Sequence, residues 1–268
     1  MAAQVNKKFI IILSATLFAA FIGVAWVAST VFLKSASDLA GLGDAKMAEK
    51  DYKGAAELYS RAVNKEQSNV EYLNKWIDSL EKAIPNTPSE FGEYYGFYMA
   101  AHRQLALVSR GQFDIQRKYL DLLKSEIDGM EFNRGANDGM IRETESLLAH
   151  YQSPGSDALT DPKANVLRRY RGIAWVRIIE RTPDLKPEVV ERAREDLEAA
   201  LAQDPDDVEC AITLEGWYTI QASRLETAQK LDEAKAAREK AAQVIATLAQ
   251  RRPGHPWVET YALRQRGD

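Results

Sequence analysis

Asp38-Leu39-Ala40-Gly41-Leu42-Gly43-Asp44-Ala45, followed by Asp51-Tyr52-Lys53-Gly54-Ala55-Ala56-Glu57-Leu58-Tyr59-Ser60-Arg61-Ala62-Val63, is the stretch whose reading decides the fold. It predicts two short antiparallel helices joined at Lys50-Asp51. In the second helix Tyr52, Ala55, Tyr59, Ala62 and Val63 fall on one side of a 3.6-residue period. The alanines are small where a neighbouring helix must come close, and the tyrosines are large where a gap must be filled. Leu42, Gly43 and Ala45 give the first helix an equally close face. Such a hairpin cannot bury its apolar side alone, so it calls for further hairpins stacked in the same way.

The order Gly43, Tyr52, Ala55, Tyr59, Ala62 resembles the tetratricopeptide repeat family. That family's hairpin carries a Gly in its first helix, an aromatic at the turn, and Ala, aromatic and Ala down its second helix. Leu39 stands where the family has Trp, and Gln67 where it has Pro. A second copy begins 138 residues later, at Val190. Val190, Ala193, Leu197, Ala200 and Leu201 repeat the spacing, and Pro205 supplies the Pro. The separation is close to four periods of about 34 residues.

From Phe9 to Leu33 there are 25 residues without a charge. A helix of that length spans roughly 37 Å, enough to cross a hydrocarbon core of about 30 Å. The run is longer than the apolar region of a cleaved leader. Lys7 and Lys8 precede it, and Lys34 follows it ahead of acidic Asp38 and Asp44, so a cytoplasmic N-terminus is expected. The resemblance to single-anchor repeat proteins implies a bacterial inner membrane, with the C-terminal domain in the periplasm. After residue 33 the chain holds 33 basic and 39 acidic side chains, Lys7 and Lys8 being the only charges before it, for a formal charge of −6. A mildly acidic domain lacks the basic face that nucleic acid needs.

The fold expected is all-α: an N-terminal transmembrane helix, then an α-solenoid of tetratricopeptide-like hairpins. Residues 1–8 read as a short tail, 9–33 as the membrane helix and 37–128 as N-terminal repeats. Residues 129–162 read as a linker region with one helix, and 163–264 as C-terminal repeats. Gln152 to Ser156 is the clearest break, and Gly129, Gly135, Asn137 and Gly139 mark a loop before it. Thr87, Pro88 and Glu90 read as a capped helix start. The helix after it gathers Phe91, Tyr94, Tyr95, Phe97 and Tyr98. These aromatics read as repeat-to-repeat packing with hydroxyls at the rim, and alternatively as the wall of a peptide groove. Glu226 and Lys230 are one turn apart and read as an ion pair.

No catalytic constellation, cofactor motif or metal-ligand spacing stands out, and the chain reads as no enzyme. His102, His150 and His255 lie apart, and the single cysteine, Cys210, reads as a buried thiol. The resemblance implies a concave face lined by the first helix of each pair. Its candidate peptide-groove residues are Glu71, Asn74, Lys75 and Asp78. Some members of the family hold a C-terminal carboxylate through Lys and Asn there, but Asp44 stands where that clamp wants Asn. The expected partners are proteins at this concave face and a lipid bilayer at residues 9–33. The function implied is a membrane-anchored scaffold for an envelope assembly or export process, and self-assembly without a separate client is the alternative.

Overall fold

The computed structural model describes residues 34–109, 111–129, 131–152 and 161–266, together with Thr16, Phe18 and Ala20, which are helical and exposed. Every regular element among the described residues is a helix. No helix among them is long and apolar enough to cross a membrane. The span expected at 9–33 lies outside the described residues, those three positions apart. The chain divides into two compact units, residues 1–110 and 111–268.

In the first unit, α1 (Ala36–Ala48), α2 (Tyr52–Lys65), α3 (Val70–Lys82) and α4 (Pro88–Val108) each pack on the next along the chain. Each start is capped by the residue type that local chemistry favours. Ser35 and Asp38 form a reciprocal capping box. Asp51 accepts from the Gly54 amide at 3.0 Å, and Asn69 from the Tyr72 amide at 3.2 Å. Thr87 caps α4 as the sequence predicts. The Glu90 carboxylate, however, reaches past the cap to the Asn86 amide and to Lys53 Nζ on α2, 3.0 Å away. The turn between α1 and α2 places Lys50 at φ 61°. The amides of Lys50 and Asp51 close it on the Met47 and Lys46 carbonyls.

The repeat residues pack as the tetratricopeptide-like hairpin requires. Ala55, Tyr59 and Ala62 are fully buried or nearly so. A Cβ on Gly43 would meet the Tyr59 ring at 2.6 Å, so the first helix comes this close only because position 43 has no side chain.

The second unit holds α5 (Phe113–Asp128), α6 (Arg134–Gln152), α7 (Asp161–Arg181), α8 (Pro187–Gln203), α9 (Val208–Thr227), α10 (Leu231–Arg251) and α11 (Pro256–Arg266). One core of this unit joins Ile173, Ile179, Ala193, Leu197, Leu214 and Trp217, and the Trp217 indole donates to the Val190 carbonyl at 2.9 Å. Cys210 is buried there, and burial pushes its thiol well above the ordinary cysteine range, as the sequence reading of an inert thiol requires.

Two expectations are corrected. The loop expected to run to Gly139 ends at Asn133, whose side chain accepts from the Ala136 amide at 3.1 Å and starts α6 one turn early. Gly135 and Gly139 are therefore helical, and the glycine count misplaced the boundary. Glu226 pairs not with Lys230 but with Arg238 on α10, through two hydrogen bonds of 2.9 Å, while Lys230 turns to Glu233.

Candidate peptide-binding face and recesses

The four expected groove residues lie on one side of α3, opposite the buried row of Leu73, Trp76, Ile77 and Leu80. Their spacing of three, four and seven residues puts them on adjacent turns. Lys75 Nζ stands 3.0 Å from Asp44 on α1 and 3.0 Å from Glu71. The other oxygen of Asp44 accepts from the Tyr59 hydroxyl at 2.7 Å. Asp78 pairs with Lys82 at 2.7 Å, and Asn74 is exposed beside them. The structure thus brings Glu71 and Lys75 together around Asp44 and turns Asp78 to a separate partner. Asp44 and Tyr59 belong to the same cluster, a membership that pairing across two helices creates and spacing along one helix does not reveal.

The electrostatics follow. Burial pushes the Asp44 carboxyl up, but the hydrogen bonds from Tyr59 and Lys75 and the lysine charge outweigh it, so the group lies below the ordinary aspartate value. The Asp44 hydrogen bond, followed by that of Glu71, raises Lys75. With Asp44, Glu71 and Asp78 against Lys75 and Lys82, the face carries one net negative charge. Its lysine is already engaged by two carboxylates. A face so arranged suits amide and cationic groups better than a free carboxylate.

A folded pKa below the unfolded one contributes stability that is present above the unfolded value and lost as pH falls through the folded value. The expected result is that Asp44→Asn flattens the acid limb of stability. Urea unfolding midpoints measured between about pH 5 and pH 2 check it, and an unchanged slope would remove Asp44 from the account.

Recesses occur in both units, and each belongs to one unit alone. An apolar groove of about 440 Å³ lies among α8, α9 and α10, floored by Leu201, Ala211, Leu214 and Val244. Pro205 borders it and is exposed in the turn after α8. A charged recess of about 510 Å³ is lined by Arg117, Asp121, Arg169, Tyr170 and Asp207. Its ions satisfy one another: Arg169 pairs with Asp207 and Glu209, and the Tyr170 hydroxyl donates to Asp121. The third, in the first unit, is a cavity of about 240 Å³ between the end of α3 and the start of α4. It is lined by Leu80, Glu81, Pro85, Tyr94, Tyr95 and Tyr98. The three tyrosines are half-buried, whereas Phe91 and Phe97 are exposed, so the packing reading accounts for only part of the aromatic cluster. Among the described residues no group of three metal-ligating side chains comes together.

No family model matches the sequence, and no curated protein matches it. Solved structures similar to it include a MamA protein, 13% identical, with a TM-score of 0.44 over 80% of this chain and 90% of that one. YrrB, described as a TPR protein with an unusual peptide-binding site, is 11% identical, with a TM-score of 0.47 over 87% of this chain and 95% of that one.

Proposed function

We propose that this chain is a helical-hairpin scaffold that binds protein partners across the α1–α3 face, held at a bacterial inner membrane by residues 9–33 and serving an envelope assembly or export process. The observation that carries the binding reading is the Asp44–Lys75–Glu71 cluster. It is a half-exposed set of donors and acceptors on the first helices of two successive hairpins, where an extended or helical segment can lie across both. The membrane part rests on the uncharged run at 9–33.

The test is crosslinking in native membranes followed by mass spectrometry of co-purifying chains, with Asn74→Lys/Lys75→Glu as the variant. One set of partners is expected with the wild type and its loss with the variant. The fold should hold within about 1 kcal/mol, since these charges are solvent-screened. Recovery of this chain alone would sink the scaffold reading.

Self-assembly is the second reading, and exposed apolar groups on α11 favour it: Trp257 is 64% and Leu263 50% exposed. Sedimentation on dilution separates the two, because a self-assembler stays large and a scaffold does not.

A further inference from the structure

We propose that the tyrosine-lined recess between α3 and α4 is a second docking site, one that seats an arginine side chain of a partner protein. The inference rests on the reading that this chain binds protein segments, but it names a different surface from the α1–α3 face and a specific chemistry.

The walls are aromatic. Tyr94, Tyr95 and Tyr98 line the cavity with Phe91. The Phe91 and Tyr95 rings stack with centroids 6.2 Å apart and only 14° between their planes. The chain itself already places a cation on this wall: Lys53 Nζ lies 5.7 Å from the centroid of Tyr94. The rim is acidic. Tyr98 donates to Glu81 at 2.9 Å. Glu57, Glu90 and Glu93 all act on Tyr94 and raise its hydroxyl, together with burial, while Lys53 alone opposes them. Of these carboxylates Glu81 lines the recess itself, and the lysine on the Tyr94 ring is paired with Glu90.

A cationic group attached to an apolar stem complements such a surface. Between the two cationic side chains, arginine fits better. Its planar guanidinium lies flat on an aromatic ring while its edge still donates two hydrogen bonds to a carboxylate, and it sheds water more easily than an ammonium. Phe91, which lines the recess and is 61% exposed, offers an apolar shelf for the residue beside the arginine. The cavity has room for one side chain and excludes a folded domain, so the occupant is an exposed loop or extended segment.

The test is calorimetry on the full chain in mild detergent at about 150 mM salt, where long-range attraction is screened. The probes are acetylated, amidated hexa-arginine, hexa-lysine and a neutral Leu-Pro hexapeptide. Hexa-arginine is expected to bind at least about fivefold more tightly than hexa-lysine, the size of one stacked cation contact. Glu81→Gln and Tyr95→Leu should each weaken it about five- to tenfold. Thermal melts check the fold of each variant, and if Tyr95→Leu does not fold, Glu81→Gln, on an exposed position, decides.

Equal binding of hexa-lysine would mean a diffuse acidic surface and overturn the arginine assignment. Equal binding of the neutral peptide, wild-type binding by Glu81→Gln, or no binding at all would overturn it too. Failure here with partners still lost in Asn74→Lys/Lys75→Glu would leave the scaffold reading standing and remove only this site.

Discussion

Replacing Asp196 with alanine is expected to destabilise the second unit by about 3–5 kcal/mol, among the largest effects of any single change to a charged residue in this chain. Arg171 on α7 donates to both oxygens of Asp196 on α8, at 2.7 and 2.9 Å. The two side chains are only 13% and 5% exposed. The nearest other carboxylate, Glu145, is 3.9 Å from Arg171 and half out in solvent. Removing Asp196 therefore strands a guanidinium in the seam between two packed helices, away from the water that would otherwise solvate it. At roughly 2–4 °C per kcal/mol for a unit of this size, the melting temperature should fall by about 10 °C. The companion variant is Arg171→Met/Asp196→Leu, which removes both charges and fills the same volume. It is expected to melt within a few degrees of the wild type, because a buried pair and a well-packed apolar pair differ little in net stability. If Asp196→Ala melts like the wild type, the pair is hydrated and holds nothing together.

How much of this architecture the sequence displays depends on which residue fills each packing position. The first hairpin was legible because Gly43, Tyr52, Ala55, Tyr59 and Ala62 all keep the residue types that a close helix crossing demands. The α9–α10 hairpin lies within the C-terminal repeats expected at 163–264 and has the same construction, but its residues do not show the repeat spacing. Its turn places Gln229 at φ 58°, matching Lys50 at 61°, and closes through the same pattern of amides onto the Glu226 and Leu225 carbonyls. Ala222, Ala234 and Ala241 take the small positions and are buried. Arg238, however, stands where Tyr59 stands in the first copy, and it reaches out to Glu226 instead of filling a gap. A period search keyed on an aromatic passes over it. The candidate face was half legible for a related reason. Spacing on α3 places Glu71, Asn74, Lys75 and Asp78 together, but that Lys75 is committed to Asp44, and that Asp44 is held by Tyr59, are facts of helix-to-helix distance. The aromatic cluster at 91–98 shows the limit most plainly, since composition cannot tell a ring that packs inward from one left exposed at a cavity mouth.

Gly172 on α7 is the counterpart of Gly43, pressed against α8 as Gly43 is against α2. Between α7 and α8 the connection is longer than between α1 and α2, so Gly172 lies 25 residues before Leu197, where Gly43 lies 16 before Tyr59. Leu197 and Tyr59 occupy the same place in their helices, seven residues after Val190 and Tyr52. A Cβ on Gly172 would meet Leu197 Cγ at 2.8 Å, its Cδ2 at 3.0 Å and the Ala193 carbonyl oxygen at 3.3 Å. Leu197 is fully buried and cannot swing away, and the carbonyl belongs to the α8 backbone. Gly172→Val is therefore expected to destabilise by about 3 kcal/mol, from overpacking. Gly172→Ala should cost less, because alanine recovers up to about 1 kcal/mol of helix propensity against the same clash. The control is Gly216→Ala on α9. No neighbouring atom lies within 4 Å of the Cβ position there, so this change is expected to stabilise by about 0.5–1 kcal/mol. A double-mutant cycle then isolates the contact. In a Leu197→Ala background the space beside Gly172 is vacated, so Gly172→Ala should turn from destabilising to neutral or stabilising, a coupling of at least about 1 kcal/mol. Chemical denaturation of the four variants measures it. Strict additivity would mean that α7 and α8 can move apart to admit the methyl group, and that their close approach is a consequence of the glycine, not something the fold requires.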